Sequence, residues 1–174
     1  MKVKMIAAAV AGFALMSGAA FADDAGHGKI EFHGSIINAP CSIDNDSSDQ
    51  HIGLGEIANK ALDNGGKSTP QPFYITLTDC TVTTAQQVQV TFTGPTDANN
   101  EDLLGITGSA SGAGIAMTDG SGTLIKLGTA SAAQTIQDGT NTLSFSAYLQ
   151  GDTTSGTVTP GEFSTVTNFT LAYP

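Results

Sequence analysis

Two cysteines, three histidines and sixteen carboxylates are the side chains through which this 174-residue sequence could do covalent, acid–base or metal chemistry. Cys41 and Cys80 lie 39 residues apart. A redox pair wants Cys-x-x-Cys spacing, and a zinc site needs more soft ligands than these two cysteines with His27, His33 and His51. General acid–base catalysis requires a base placed beside a nucleophile, and no Gly-x-Ser-x-Gly elbow singles out a serine. Gly65-Gly66-Lys67-Ser68-Thr69 has the ending of a phosphate-binding loop, but Ala61 stands where that motif needs a glycine, so it reads as a surface loop. Asp44-Asn45-Asp46-Ser47-Ser48-Asp49 lacks the glycine and closing glutamate of a calcium-binding EF-hand. Asn168-Phe169-Thr170 matches a glycosylation sequon by chance, inside an apolar alternation. The expectation is a chain that is not an enzyme and holds no cofactor or metal.

The first residues say where such a chain goes. Lys2 and Lys4 precede an apolar run from Met5 to Met16, and Ala20-Phe21-Ala22 follows the small-x-small rule of signal peptidase. Twelve apolar residues are too few to span a bilayer as a helix, so residues 1–22 are expected to be a cleaved signal peptide. The mature chain of 152 residues suits one domain. Its formal charge is −12, with four lysines and no arginine, which argues against nucleic acid or an anionic membrane surface as a partner. Two cysteines delivered to an oxidising compartment are expected to form one structural disulfide. Its loop of about 40 residues is worth roughly 4 kcal/mol in the chain-entropy account.

The elements that must position these residues are strands. Phe73, Ile75 and Leu77 share one parity ahead of Cys80; Val88, Val90 and Phe92 do so before Gly94-Pro95; Leu143, Phe145, Ala147 and Leu149 do so before Gly151-Asp152. Period two with Gly, Asp, Asn and Pro breaks predicts an all-β sandwich or barrel, each set being one buried face. Ile115 and Met117 lead into Asp119-Gly120-Ser121-Gly122 and then Leu124, Ile125 and Leu127. That pattern predicts a hairpin whose Asp-Gly and Ser-Gly pairs supply positive φ. Only residues 53–68 could hold a helical turn, around Glu56 to Leu62.

The two ends of the sequence carry unpartnered strand patterns. Phe163, Phe169, Leu171 and Tyr173 fall on odd positions, so the sequence is expected to finish inside a strand whose free apolar edge invites another chain. Ile30, Phe32 and Ile36 alternate in a segment of strand character behind the loose leader Asp23-Asp24-Ala25-Gly26-His27-Gly28.

Several of these segments together resemble the major pilins of chaperone–usher fimbriae, such as those of type 1 and P fimbriae, over the whole mature chain. They are the leader from Gly28 through Gly34-Ser35-Ile36-Ile37-Asn38-Ala39-Pro40-Cys41; the run Phe73-Tyr74-Ile75-Thr76-Leu77-Thr78-Asp79-Cys80; the Asp138-Gly139-Thr140-Asn141 turn into Phe145 and Tyr148; and an ending with Gly161 and the penultimate Tyr173. Pro174 departs from the polar residue that often ends the family, without bearing on function.

The resemblance implies an incomplete immunoglobulin-like β-sandwich completed by a donor strand. Residues 23–33 would be the donor-strand extension, with Gly26 and Gly28 allowing close approach and Ile30 and Phe32 as apolar plugs. Residues 34–174 would be the pilin domain, with an acceptor groove lined by Phe163, Phe169, Leu171 and Tyr173 and by core faces such as Val88 to Phe92 and Leu143 to Leu149. Cys41 and Cys80 would join the first strand to the second. The implied partners are a periplasmic chaperone, an outer-membrane usher and neighbouring copies in a linear polymer displayed at the cell surface and supporting adhesion. A terminator or minor subunit, or a secreted carbohydrate-binding β-domain, are the alternative readings.

Overall fold

Alternating side chains make each strand half apolar, and the fold follows from pressing those halves together. A computed structural model describes residues 28–82, 86–153 and 157–174. The signal peptide expected at 1–22, and Gly26 and His27 of the leader, lie outside the described residues. Residues from Ile37 onward form one compact unit.

The strands of the compact unit are β1 (Ser42–Ile43), β2 (Gln71–Cys80), β3 (Gln86–Thr93), β4 (Leu104–Gly105), β5 (Thr107–Gly108), β6 (Ala113–Asp119), β7 (Leu124–Ile125), β8 (Gln134–Ile136), β9 (Gly139–Gly151), β10 (Phe163–Ser164) and β11 (Asn168–Ala172). One sheet runs β1-β2-β9-β6-β4, with β7 also on β6; a second runs β11-β3-β8; β10 pairs with β5, and every pairing is antiparallel.

The long strand β9 organises the first sheet. Its earlier residues pair with β2, placing Phe145 opposite Phe73, and its later ones pair with β6, placing Leu149 opposite Ile115. Just ahead of β2, Ser68 donates its N–H to the Leu149 carbonyl and accepts from the Leu149 N–H on its Oγ. The lysine–serine stretch that could suggest a phosphate loop thus lies along a sheet edge.

Phe73 stacks on Phe145 at 5.5 Å, and Phe92 of the second sheet meets Phe145 edge-on at 5.3 Å. This trio bridges the two inner faces, joined by Ile75, Leu77, Val88, Val90, Leu143 and Ile136, all fully buried. Gly151 must stay small, because a Cβ there would sit 1.9 Å from the Leu62 carbonyl oxygen. Gly151→Ala is expected to cost about 1–3 kcal/mol through backbone displacement, read as a lower denaturant midpoint of the full-length chain.

Several local expectations are corrected. The residues 45–48 also form a helical turn, α1 (Asn45–Ser48), because the Asp44 carboxylate accepts from the Asp46 N–H as a cap. The turn expected at Glu56 to Leu62 begins later, as α2 (Asn59–Leu62), followed by a 3-10 turn at Asp63–Gly65. The β6–β7 hairpin forms, but Gly122 alone of its two turn glycines has positive φ, 84°. Asp119 does the rest, its Oδ1 accepting from the N–H groups of Ser121 and Thr123 at 2.9 Å each. These bonds, led by the Ser121 hydroxyl, hold the Asp119 carboxyl below its usual pKa. The apolar run at the end is two strands, with 165–167 intervening, because β10 pairs with β5 while β11 pairs with β3. Ile30 to Ile36 form no strand, and Ile30 and Phe32 are 79% and 89% exposed. Alternation alone does not make a strand without a ladder partner.

Candidate functional site: an apolar groove and unpaired backbone edges

A strand with one hydrogen-bonded neighbour leaves its other row of N–H and C=O groups open. Strand β11 has β3 on one side, Phe169 opposite Phe92 and Leu171 opposite Val90, and among the described residues no strand on the other. Its apolar side chains point inward by alternation, so Phe169, Leu171 and Tyr173 pack against the core yet stay half-buried. The Tyr173 hydroxyl is buried without a hydrogen-bond partner, as is Thr165 Oγ1, and burial pushes the Tyr173 pKa up.

A second open edge faces a groove of about 630 Å³. Residues 50–57 form one wall and 158–165 the other, with Leu62, Ile115 and Leu149 between them. From His51 through Ile57 no backbone N–H or C=O makes a hydrogen bond to another described backbone group. The segment reaches the groove because Ser47, at the end of α1, donates no further ladder: its Oγ accepts from the Thr76 N–H at 2.9 Å, and Gln50 bonds the Tyr74 carbonyl at 2.9 Å, tying the chain to β2 just before it leaves the sheet. On the far wall Glu162 O accepts from the N–H groups of Ser109 and Ala110, so the side of 158–165 towards Ser109 is bonded.

Of the residues singled out in the sequence, Phe163 lines this groove, and Phe169 and Leu171 on β11 and Tyr173 just after it continue its odd-numbered series. Leu149 also lines it. Val88, Val90 and Phe92 do not: on β3, beside β11 in the same sheet, they are fully buried and do not line it. Sequence reasoning missed the wall at Ile52, Leu54 and Ile57. The alternation of Ile52 and Leu54 ahead of Gly55 was its signal, muted by two glycines and by the absence of a ladder.

Cys41 and Cys80 are bonded to each other, immediately before β1 and at the end of β2, strands that pair through Ser42 with Thr78. Close by, Val82 N–H donates to Asp138 Oδ1 at 2.7 Å, and Asn141 brackets the Gly139 turn by two bonds with Gln137. Among the described residues no cluster of three or more His, Cys, Asp or Glu could hold a metal ion. The arrangement offers hydrogen-bonding edges and an apolar floor, which is binding chemistry.

Comparison with known proteins agrees. The profile of the family described as Fimbrial protein matches residues 30–174. The chain is 55% identical to the Fimbria A protein of Serratia marcescens, covering 98% of this chain and 97% of that one. It is 47% identical to the Major MR/P fimbria protein of Proteus mirabilis strain HI4320, covering 93% of each. A chain of a chaperone–usher pilus, solved to explain rod uncoiling, superposes with a TM-score of 0.76 at 33% identity, over 86% of this chain and 97% of that one. The P pilus rod subunit PapA superposes with a TM-score of 0.70 at 33% identity, over 78% of this chain and all of that one. The sandwich is accordingly the immunoglobulin-like fold of chaperone–usher pilins. The chain belongs to the fimbrial protein family and is a structural subunit of bacterial surface fimbriae.

Proposed function

We propose that the groove is an acceptor for one extended strand, and that residues 23–33 of a second copy supply it, with Gly26, Gly28, Ile30 and Phe32 on the inserted face. The observation that carries this reading is that among the described residues β11 has one ladder partner and residues 51–57 have none, while Leu54, Ile57, Phe163, Phe169, Leu171 and Tyr173 stay half-buried against the core. Strand addition is an established way for chaperone and pilin edges to be satisfied. A strand of about seven residues brings several ladder bonds worth roughly 0.5–1.5 kcal/mol each and buries apolar side chains at about 1.5–3 kcal/mol apiece. Ordering a loose leader consumes part of that gain, and an otherwise open groove supplies the surplus.

Because each copy gives a strand at one place and receives one at another, the contact is head-to-tail and does not close, which generates a filament. On this reading the signal peptide at 1–22 sends the chain to the periplasm. A chaperone strand occupies the groove first, an outer-membrane usher exchanges it for the next subunit's leader, and the fibre supports adhesion.

The test is a chain lacking residues 23–33, released from its chaperone with and without a synthetic peptide of those residues. Without peptide it is expected to give no linear multimers; with peptide it forms a soluble one-to-one complex. A truncated chain that folds alone as a stable monomer would overturn the reading.

A further inference from the structure

Behind β6, on the face away from the main core, two carboxyls are buried together. Asp97 is 9% exposed and Asp152 5%. Asp97 follows β3 and Asp152 follows β9, and the backbone fixes both: Asp97 N–H donates to the Leu103 carbonyl at 3.0 Å, and Asp152 N–H to the Gly112 carbonyl at 2.9 Å. The Asp97 Oδ1 accepts from the N–H groups of Asn99 and Asn100, at 2.9 and 3.0 Å. Asp152 Oδ2 accepts from the Asn99 side-chain amide. Asp152 Oδ1 is buried with no partner, and Asn99 bonds both carboxyls, Asp97 through its backbone N–H and Asp152 through its side-chain amide.

Two ionised carboxylates side by side out of water repel each other and lose hydration, so a counter-charge is required. The protein has no cation to give. Arginine is absent, and of the four lysines outside residues 1–22, Lys29 pairs with Glu31, Lys60 with Asp63, Lys126 with Asp102, and Lys67 lies over the Tyr148 ring. We propose that Asp97 and Asp152 share one proton, Asp152 Oδ1 carrying it and donating to Asp97, so that this pair clasps the loop after β3 to the end of β9 and tightens as pH falls. The proton comes from water and fills the one vacancy in the hydrogen-bond network.

The direction of titration agrees. Burial, then the Asp97 charge beside it, pushes the Asp152 carboxyl above its ordinary value of 3.8, against the lowering by Asn99. Since the folded-state pKa is the higher one, the stabilisation is complete below the unfolded value and is lost as pH rises through the folded value. Asp97 and Asn99 are the groups facing Asp152.

The experiment uses the full-length chain in its assembled form, as wild type, Asp152→Asn, Asp97→Asn and the double variant. Thermal midpoints are measured at about pH 8 and about pH 3, together with the carboxyl ¹³C titration of labelled aspartates. An amide at either position imitates the protonated partner. Each single variant is expected to melt roughly 2–4 °C above wild type at the higher pH and level with it at the lower. The double variant adds nothing further, and Asp152→Asn removes the one aspartate resonance that titrates high. Singles that melt at or below wild type at the higher pH overturn the proposal, as do aspartates that all titrate in the ordinary range. Millimolar calcium that raises the wild-type midpoint but not that of Asp152→Asn would assign a metal cation to the pair and overturn it too.

Discussion

A chain carrying both Ile30→Asp and Phe32→Asp is expected to be captured by its chaperone as well as wild type but to yield almost no polymer. Both side chains are exposed, so their replacement removes nothing from the buried core. Inserted into a neighbour's groove, each would bury an apolar side chain worth about 1.5–3 kcal/mol. Aspartate forfeits that gain and adds an unpaired charge over a floor of Leu62, Ile115 and Leu149. A loss of about 3–6 kcal/mol corresponds to at least a hundredfold weaker association. The measurement is the ladder of multimers in a denaturing gel run without heating, alongside recovery of the chaperone-bound subunit. Undiminished ladders would show that residues other than these two fill the groove.

Phe145→Ala is expected to cost about 3–5 kcal/mol, a large share of the 5–15 kcal/mol by which a domain is typically stable. Phe145 is 1% exposed, contacts both other rings of the trio and pairs across the strand opposite Phe73. Truncation opens a cavity where the two sheets meet, which neither Phe73 nor Phe92 can fill without leaving its own strand register. The denaturant midpoint of the full-length variant against wild type checks this, Phe145→Leu serving as the milder control at about half the effect or less. A midpoint within experimental scatter of wild type for the alanine variant would mean that the trio is not where the sheets are held.

Much of the architecture could be read from the residues because β2, β3 and β9 each bury one face and wet the other. Strand β6 was legible only through Ile115, Met117 and the turn after them: Ala113 through Thr118 are all buried, since Leu103 packs with Ala116 and Tyr148 on the outer face. A strand covered on both sides has no wet face to mark its extent. The wall at residues 51–57 was illegible for the opposite reason, having no partner strand to give its apolar residues a period. The Asp97–Asp152 pair was hidden because its members are far apart in sequence and look like two turn residues among many. Phe163, Phe169, Leu171 and Tyr173 were legible as one inward-facing series because alternation survives even where the strand breaks at 165–167.

The bond between Cys41 and Cys80 divides the chain in a way that matters under tension. A pull on the residues ahead of Cys41 passes through sulfur to the end of β2, bypassing the intervening stretch from Ser42 to Asp79. That stretch cannot be drawn out as slack, and it includes the groove wall at residues 50–57. A fibre dragged by flowing liquid would thus load Cys80, its pairing with Gly139 and the chain beyond it first, while the rest of β2 and the groove wall remain outside the line of force.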